Sequence, residues 1–329
     1  MNVSVLGAGA WGITIAQTLT DNGHDVAIYD VNKDFVDAIN NGSHPFFTEN
    51  KIENIKGFYT LKEALDFAPY IVICVPTKFT RSLLKEVNTL LNDEKVFINV
   101  SKGIEPDTSK CVREIVDDEI DKRYIRGYAS LSGPSHAEEL IQRKLTLLVS
   151  ASFDKEIAKE VQLLFANSKY LRVYTSNDVI GCEIGGAIKN AIAVVSGVLT
   201  GLGLGENARA ALISRGILEI ERVVVAMGGK KETAFGLTGM GDLIVTASSM
   251  NSRNFTAGIA IGKGESAADA VKNSKQTVEG VRAVLAAYQI GKTHNIELPI
   301  INAAYSVLYQ NVDPIIAIKG VLSRELKAE

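Results

Sequence analysis

Cysteine is scarce and poorly placed for pairing: Cys74, Cys111 and Cys182 are the whole complement, far apart along the chain. That excludes a disulfide framework and a CxxC metal or redox pair, and it fits a reducing, cytoplasmic setting. Histidine is no more concentrated. His24, His44, His136 and His294 lack the i,i+4 spacing of a helical zinc site, so no metal is expected and each is read as a surface or loop residue. An excess of one charge is missing too: a net charge of -3 and a pI of about 5.9 offer no broad field to nucleic acid or an anionic membrane. Any anion must be held by a local site. No basic stretch precedes the first apolar run, so no signal peptide is expected. The longest uncharged stretch, between Lys189 and Glu206, is shorter than the roughly 20 residues of a spanning helix, so no transmembrane segment is expected either.

What is present is ordinary globular material, 46% hydrophobic and 22% charged, in a chain of 329 residues that exceeds the usual size of one core. Two domains are expected. In the first, "NVSVLG", "DVAIYD", "YIVICVP", "KVFINVS", "YASLSG" and "TLLVSA" read as strands, alternating with helical patterns at 12–22, 33–41, 61–66, 79–91, 107–117 and 135–142. Apolar strands separated by helices predict a parallel sheet covered on both faces, a doubly wound α/β domain over 1–180. Beyond it the chain reads as helices at 182–200, 206–227, 254–262, 266–274, 277–293, 299–310 and 313–326, an all-α domain over 181–329. With no long linker, the two are expected to pack directly and share a cleft.

"VSVLGAGAWG" sets Gly7, Gly9 and Gly12 in a G-x-G-x-x-G between a strand and a helix. Gly7 suits the tight turn, Gly9 the close approach of a pyrophosphate and Gly12 helix-to-strand packing, with phosphates facing the helix N-terminus. The second strand ends in Asp30, near the spacing of an acid that accepts hydrogen bonds from the adenosine ribose and repels a 2′-phosphate. NAD is therefore favoured over NADP. Other strand ends carry Lys102 in "SKGIEP" and Gly133 and Ser135 in "SGPSHAEEL". Lys102 is either a solvated lysine or a cation facing an anionic substrate. Ser135 either forms a capping box with Glu138 or meets a ligand beside Gly133.

In "GCEIGGAIKNAIAVVSG" one ammonium, Lys189, stands among glycine, alanine and branched aliphatics. Ile184, Ile188, Ile192, Val195 and Leu199 form the apolar stripe, while Lys189 shares its face with Gly185, Gly186, Ala193, Ser196 and Thr200. It is either a surface lysine or a functional one rising from a trough of small residues, with Asn190 as a polar neighbour. A lysine partly withdrawn from water can exchange a proton near neutral pH, which carbonyl reduction requires. Further on, Asp242 sits in a turn of glycines, and Ser252, Arg253 and Asn254 open a helical segment. They serve either as a plain cap and a solvated charge or as a phosphate site. Glu279 reads as a first-turn acid suited to the helix dipole.

Taken in order, "GAGAWG", "VPT", "SKGIE", "SGPSHAEE", "EIGGAIKN", "NARAALISRG", "GMGDLIVT", "SRN", "VEG" and "LPI" closely resemble the bacterial-type NAD(P)-dependent sn-glycerol-3-phosphate dehydrogenases from end to end. The resemblance implies a Rossmann domain followed by an all-α domain like that of 6-phosphogluconate dehydrogenase, and commonly a homodimer. It also implies reversible reduction of dihydroxyacetone phosphate to sn-glycerol 3-phosphate for glycerophospholipid synthesis. It makes Lys189 the proton donor and acceptor, held by Asp242 and Asn190, with Lys102 assisting. The substrate site would comprise Lys102, Gly133, Ser135, Lys189, Asn190, Asp242, Ser252, Arg253 and Asn254. Beyond the glycine motif and Asp30, the dinucleotide would meet Ala10, Trp11, Lys102, Ala137, Arg253 and Glu279.

One stretch departs from the pattern: where many bacterial members carry basic residues after the second strand, this chain reads "YDVNKD". The nearest alternative is a β-hydroxyacid dehydrogenase, but those place an asparagine four residues after the lysine, where this chain has Ala193. A non-catalytic NADH sensor is the alternative from another class; it would not require Lys189, Asp242 and Lys102 together.

Overall fold

The computed structural model describes residues 1–105, 108–274 and 277–326. The chain divides into two compact units: a sheet unit, Met1–Lys102 with Lys110–Glu183, and a helical unit, Gly103–Ser109 with Ile184–Glu329.

The sheet unit holds eight strands among the described residues: β1 Asn2–Leu6, β2 Asp25–Tyr29, β3 Ile55–Phe58, β4 Tyr70–Ile73, β5 Lys95–Asn99, β6 Ile125–Ser132, β7 Thr146–Ala151 and β8 Leu171–Ser176. They lie in the order β3-β2-β1-β4-β5-β6-β7-β8. The helices are α1 Ala10–Asp21, α2 Lys33–Asn40, α3 Leu61–Phe67, α4 Thr77–Leu90, α5 Val112–Glu119, α6 Ala137–Leu140 and α7 Lys155–Phe165. All residues of β4 and β5 are buried, as expected of central parallel strands covered on both faces. The order reverses between β1 and β4, and in such sheets ligands bind beyond the strand ends at that switch.

The unit departs from expectation in three ways. The sheet is not purely parallel, because β7 pairs antiparallel to β6, and β8 then follows β7 in parallel. Six of the eight strands are those expected from the sequence; β3, β8 and the helix α7 are not among the expected elements. The helix expected at 107–117 begins at Val112; Pro106 and Asp107 lie outside the described residues.

The helical unit is built from α8 Val179–Gly201, whose first turns count with the sheet unit, then α9 Gly205–Ala226, α10 Lys231–Ala234, α11 Asp242–Ser248, α12 Arg253–Gly262, α13 Ala267–Lys272, α14 Gly280–Thr293, α15 Pro299–Gln310 and α16 Pro314–Leu322. Among the described residues α8 is the one helix long and apolar enough to cross a membrane. The share of its most apolar window buried inside the protein is 89%, as suits a core helix.

Two further glycines of α8, Gly197 and Gly201, lie beside the trough of small residues and make a close helix crossing. α8 and α12 cross at backbone distance: a Cβ on Gly197 would stand 2.1 Å from Phe255 O, and one on Gly258 2.1 Å from Val194 O. One turn on, Gly201 and Gly262 repeat the arrangement, at 2.4 Å from Ile259 O and Val198 O. Ser196 adds a hydrogen bond, its Oγ donating to Ala247 O at 2.6 Å. The absence of side chains is what allows this approach, so the glycines are set by packing rather than by a ligand.

Candidate active site

In the sheet unit, the glycine motif closes the end of β1. Gly7 has φ +114°, and a Cβ there would lie 2.5 Å from Cys74 O; a Cβ on Gly12 would lie 1.9 Å from Gly7 O. Gly9 differs: a Cβ there would meet no protein atom within 4 Å, so its open face borders whatever approaches α1. Gly9 is also the N-cap of α1 and no side chain caps that end, leaving first-turn N–H groups at Ala10 and Trp11 directed past it.

Ala8, inside the motif, is fixed from both sides. Its N–H donates to Asp30 Oδ2 at 2.6 Å, and its carbonyl accepts from His44 Nε2 at 2.8 Å. His44 Nδ1 accepts from Phe46 N at 3.3 Å, which defines its tautomer, and burial depresses its basicity so that it stays neutral. His44 lies in a loop, as expected, but is 1% exposed rather than at the surface. Asp30 Oδ1 accepts from Asn32 N at 2.8 Å, so one carboxylate braces both the glycine loop and the turn after β2.

Around the end of β5, Trp11 Nε1 donates to Val100 O at 3.1 Å, and Lys102 Nζ lies 5.9 Å from the centre of the Trp11 ring. Lys102 Nζ also donates to Gly133 O at 2.8 Å and to Ser135 Oγ at 3.2 Å. Gly133 is a true glycine position, with φ +152° and Leu147 O 2.7 Å from a hypothetical Cβ. The Ser135–Glu138 capping box does not form. α6 starts at Ala137 with His136 as N-cap, and the Ser135 hydroxyl donates to Gly133 O at 2.9 Å. That frees Ser135 from capping and gives it to the Lys102 cluster. Ala137, 6% exposed, opens α6.

In the helical unit, Lys189 is 4% exposed and Asp242 1%. Lys189 Nζ lies 3.1 Å from Asp242 Oδ1 and donates to Thr246 Oγ1 at 2.6 Å. The Thr246 hydroxyl has one proton, directed at Asp242, whose carbonyl is 2.6 Å and whose Oδ1 is 3.3 Å away. The three groups form a closed triangle in which the charge of the buried lysine is matched. Asp242 is not in a turn: Leu237–Gly241 forms a single π-helical turn, and Asp242 is the first residue of α11.

A second polar chain runs beside it. Asn190 Oδ1 accepts from Asn254 Nδ2 at 2.8 Å, and Asn254 Oδ1 accepts from Gly280 N at 2.9 Å. Ser252 caps α12, its Oγ accepting from Phe255 N at 3.2 Å, and Arg253 is exposed at the first position of that helix. Glu279 is the N-cap of α14 rather than a first-turn residue.

Comparison with known proteins decides the family. Residues 2–158 match the N-terminal and residues 178–319 the C-terminal family model of NAD-dependent glycerol-3-phosphate dehydrogenase. A glycerol-3-phosphate dehydrogenase [NAD(P)+] from Acholeplasma laidlawii is 60% identical over 329 residues, covering 100% of this chain and 99% of the relative. The chain belongs to the NAD-dependent glycerol-3-phosphate dehydrogenase family. The enzyme of that name from Phytoplasma mali is 46% identical, with 100% of this chain and 99% of that protein covered. The crystal structure of a glycerol-3-phosphate dehydrogenase from Coxiella burnetii superposes with a TM-score of 0.91 at 32% identity, covering 98% of this chain and 99% of that one.

For a member of the glycerol-3-phosphate dehydrogenase family, the sequence reading names Lys189 and Asp242 but misses Thr246, which completes their triangle. The signal was available: Asp242 and Thr246 are four apart, one above the other on a helix face. It goes unread because the glycines before Asp242 suggest a turn. Asn190, expected to hold Lys189, accepts from Asn254 Nδ2 through its Oδ1, and Thr246 joins Lys189 and Asp242 without having been expected there. Lys102, Gly133 and Ser135 form one cluster in the sheet unit, while Lys189, Asn190, Asp242 and Asn254 gather in the helical unit, Ser252 and Arg253 opening α12 beside Asn254.

Proposed function

We propose that this chain catalyses the reversible reduction of dihydroxyacetone phosphate to sn-glycerol 3-phosphate with NADH or NADPH, as a cytoplasmic enzyme feeding glycerophospholipid synthesis. The observation that carries the reading is the buried Lys189–Asp242–Thr246 triangle in a chain that matches both family models. Residues 1–180 are assigned the dinucleotide, and residues 181–329 the substrate and the proton chemistry.

The dinucleotide suits the residues available to hold it. Gly9 leaves open space where a Cβ would be, and the uncapped start of α1 offers N–H groups to a pyrophosphate. Gly7, Gly12, Ala10, Trp11, Lys102, Ala137, Arg253 and Glu279 are its other proposed contacts. When bound, the nicotinamide supplies or accepts the hydride at the substrate carbon. The chain provides the rest: Lys189 gives a proton to the carbonyl oxygen in reduction and takes it back in oxidation, while Asp242 offsets the charge and Thr246 fixes the direction of Nζ. Lys102, held by Gly133 O and Ser135, orients the substrate. Ser252, Arg253 and Asn254 at the start of α12 bind its phosphate. A hydroxyacid substrate is disfavoured because the position four residues past Lys189 is Ala193, apolar and fully buried. Oxidation of NADH on addition of dihydroxyacetone phosphate, and not of β-ketoacids, is the expected assay result; the reverse selectivity would overturn the assignment.

Asp30 favours NADH. Each of its oxygens spends one lone pair on a backbone N–H and keeps another for a ribose hydroxyl, and its charge opposes a 2′-phosphate. NADH is therefore expected to serve at least as well as NADPH in kcat/KM. An NADPH advantage beyond about tenfold, roughly 1.4 kcal/mol, would remove the argument.

A homodimer completes the proposal. None of α16 is buried, and Ile316 and Leu322 on it are 63% and 76% exposed, an apolar surface that a second copy would cover. Sedimentation equilibrium should give twice the 35.4 kDa chain mass; the mass of a single chain at micromolar concentration would contradict it.

A further inference from the structure

The first turns of α8 contain a buried acid that the chemistry above leaves unused. Glu183 is 5% exposed. Its Oε1 accepts from Asn99 Nδ2 at 2.9 Å, at the end of β5, and from the Tyr128 hydroxyl on β6. Its Oε2 accepts from the Arg113 N–H at 3.1 Å, at the start of α5. These donors are neutral. The Arg113 guanidinium is turned to Asp117, 2.7 Å from its carboxylate, and lies 5.2 Å over the Tyr128 ring. Burial, then the neighbouring Glu183 carboxylate, push the Tyr128 phenol well above its ordinary range, and the Cys111 thiol moves up for the same reasons. Both groups stay protonated, so the Tyr128 O–H remains a donor at any working pH.

This donor set suits a carboxylate, whose two oxygens accept and have no proton to place. A glutamine would turn an NH2 group either toward the Arg113 N–H, a fixed donor, or toward the Asn99 Nδ2 and the Tyr128 hydroxyl, which would both have to turn, although Ser101 N already fixes Asn99 Oδ1 at 2.9 Å. Fastening a helix with a buried acid is a costly device where an apolar side chain would pack more cheaply. What the acid adds is direction. Three hydrogen bonds from β5, β6 and α5 fix both the rotation and the axial register of the first turns of α8, whereas apolar contacts alone would allow them to slip. α8 continues unbroken to Gly201, and Lys189 follows Glu183 by six residues, about 9 Å along the axis. A slip or rotation at Glu183 is carried down the helix to the lysine.

Resting on the reading of Lys189 as the proton donor, we propose that Glu183 is a positioning residue for the reaction, setting through the register of α8 the direction in which Lys189 Nζ is held. Glu183→Gln is expected to lower kcat about 10- to 100-fold, the scale of a displacement near 1 Å, with the KM for NADH within about twofold of wild type. In a Lys189→Met background the same change should lower the residual rate by less than about threefold, since no proton donor is left to misplace. Equal factors in the two backgrounds, or a wild-type kcat for Glu183→Gln, would overturn the proposal. A Lys189→Met enzyme that keeps its kcat would instead overturn the proton-donor reading. Should Glu183→Gln not fold, Tyr128→Phe removes one of its donors and leaves the acid; a loss of kcat absent in the Lys189→Met background supports the proposal, and an unchanged kcat overturns it.

Discussion

Lys189→Met is expected to lower kcat by about 10²- to 10⁴-fold, the usual contribution of a positioned general acid, while NADH still binds. Methionine keeps most of the aliphatic stem and deletes the ammonium. The change also strands Asp242, which is 1% exposed and loses its cation. Breaking one side of a buried pair costs about 3–5 kcal/mol, so the single variant should melt lower than wild type. Adding Asp242→Asn removes the stranded charge and should recover much of that stability without recovering turnover. The pair of variants thus separates folding from chemistry. A Lys189→Met enzyme with turnover within about tenfold of wild type would place the proton source elsewhere. A protein that bound NADH only to sense it would have no turnover to lose.

The second large effect is on stability and lies away from the reaction. Glu219 on α9 is 2% exposed, and its two oxygens accept from Ile300 N at 2.7 Å and Ile301 N at 3.0 Å. It thereby caps the start of α15, where Leu298 has no capping group and Pro299 has no N–H. Burial raises its pKa to about 7, against the opposing pull of the two N–H groups and of Arg222 and Arg324; the ordinary value is 4.5. The folded protein therefore holds this proton more tightly than the unfolded chain. The stabilisation is complete below pH 4.5 and is lost progressively as pH rises to about 7 and beyond. Over that window wild type should lose roughly 3 kcal/mol relative to Glu219→Gln, which cannot titrate. Denaturant melts of both proteins at pH 4.5 and pH 8 measure this directly, and a pH-independent difference between them would refute it.

How much of this could be read from the sequence depends on how local the determining interaction is. The left-handed φ of Gly7 and the packing of Gly12 on Gly7 are local, so the motif reveals both, whereas the carbonyl of Cys74 against Gly7 is distant and was not legible. β3 and β8 go unread because they are only partly buried. In "IKGF" and "LRVYTS" the exposed positions carry Lys56, Arg172 and Tyr174, and no apolar run forms. The small residues along α8 were legible as a trough, but not the glycine crossing beside it, because Gly258 and Gly262 lie some sixty positions away in the chain. The partners of Glu183 are beyond pattern reading for the same reason: Asn99, Arg113 and Tyr128 come from three separate elements. Lys189 stood out because an ammonium in an apolar helix breaks the local rule, which is where function tends to be visible.

The crossing of α8 and α12 at Gly197, Gly201, Gly258 and Gly262 also restricts how the gene can vary. Every single-base missense change of a glycine codon introduces a residue with a Cβ, and at these four sites that atom would fall on a backbone oxygen of the facing helix. Neither helix has a neutral first step open to it, and a change in one cannot be compensated by trimming the other, since there is nothing smaller to substitute.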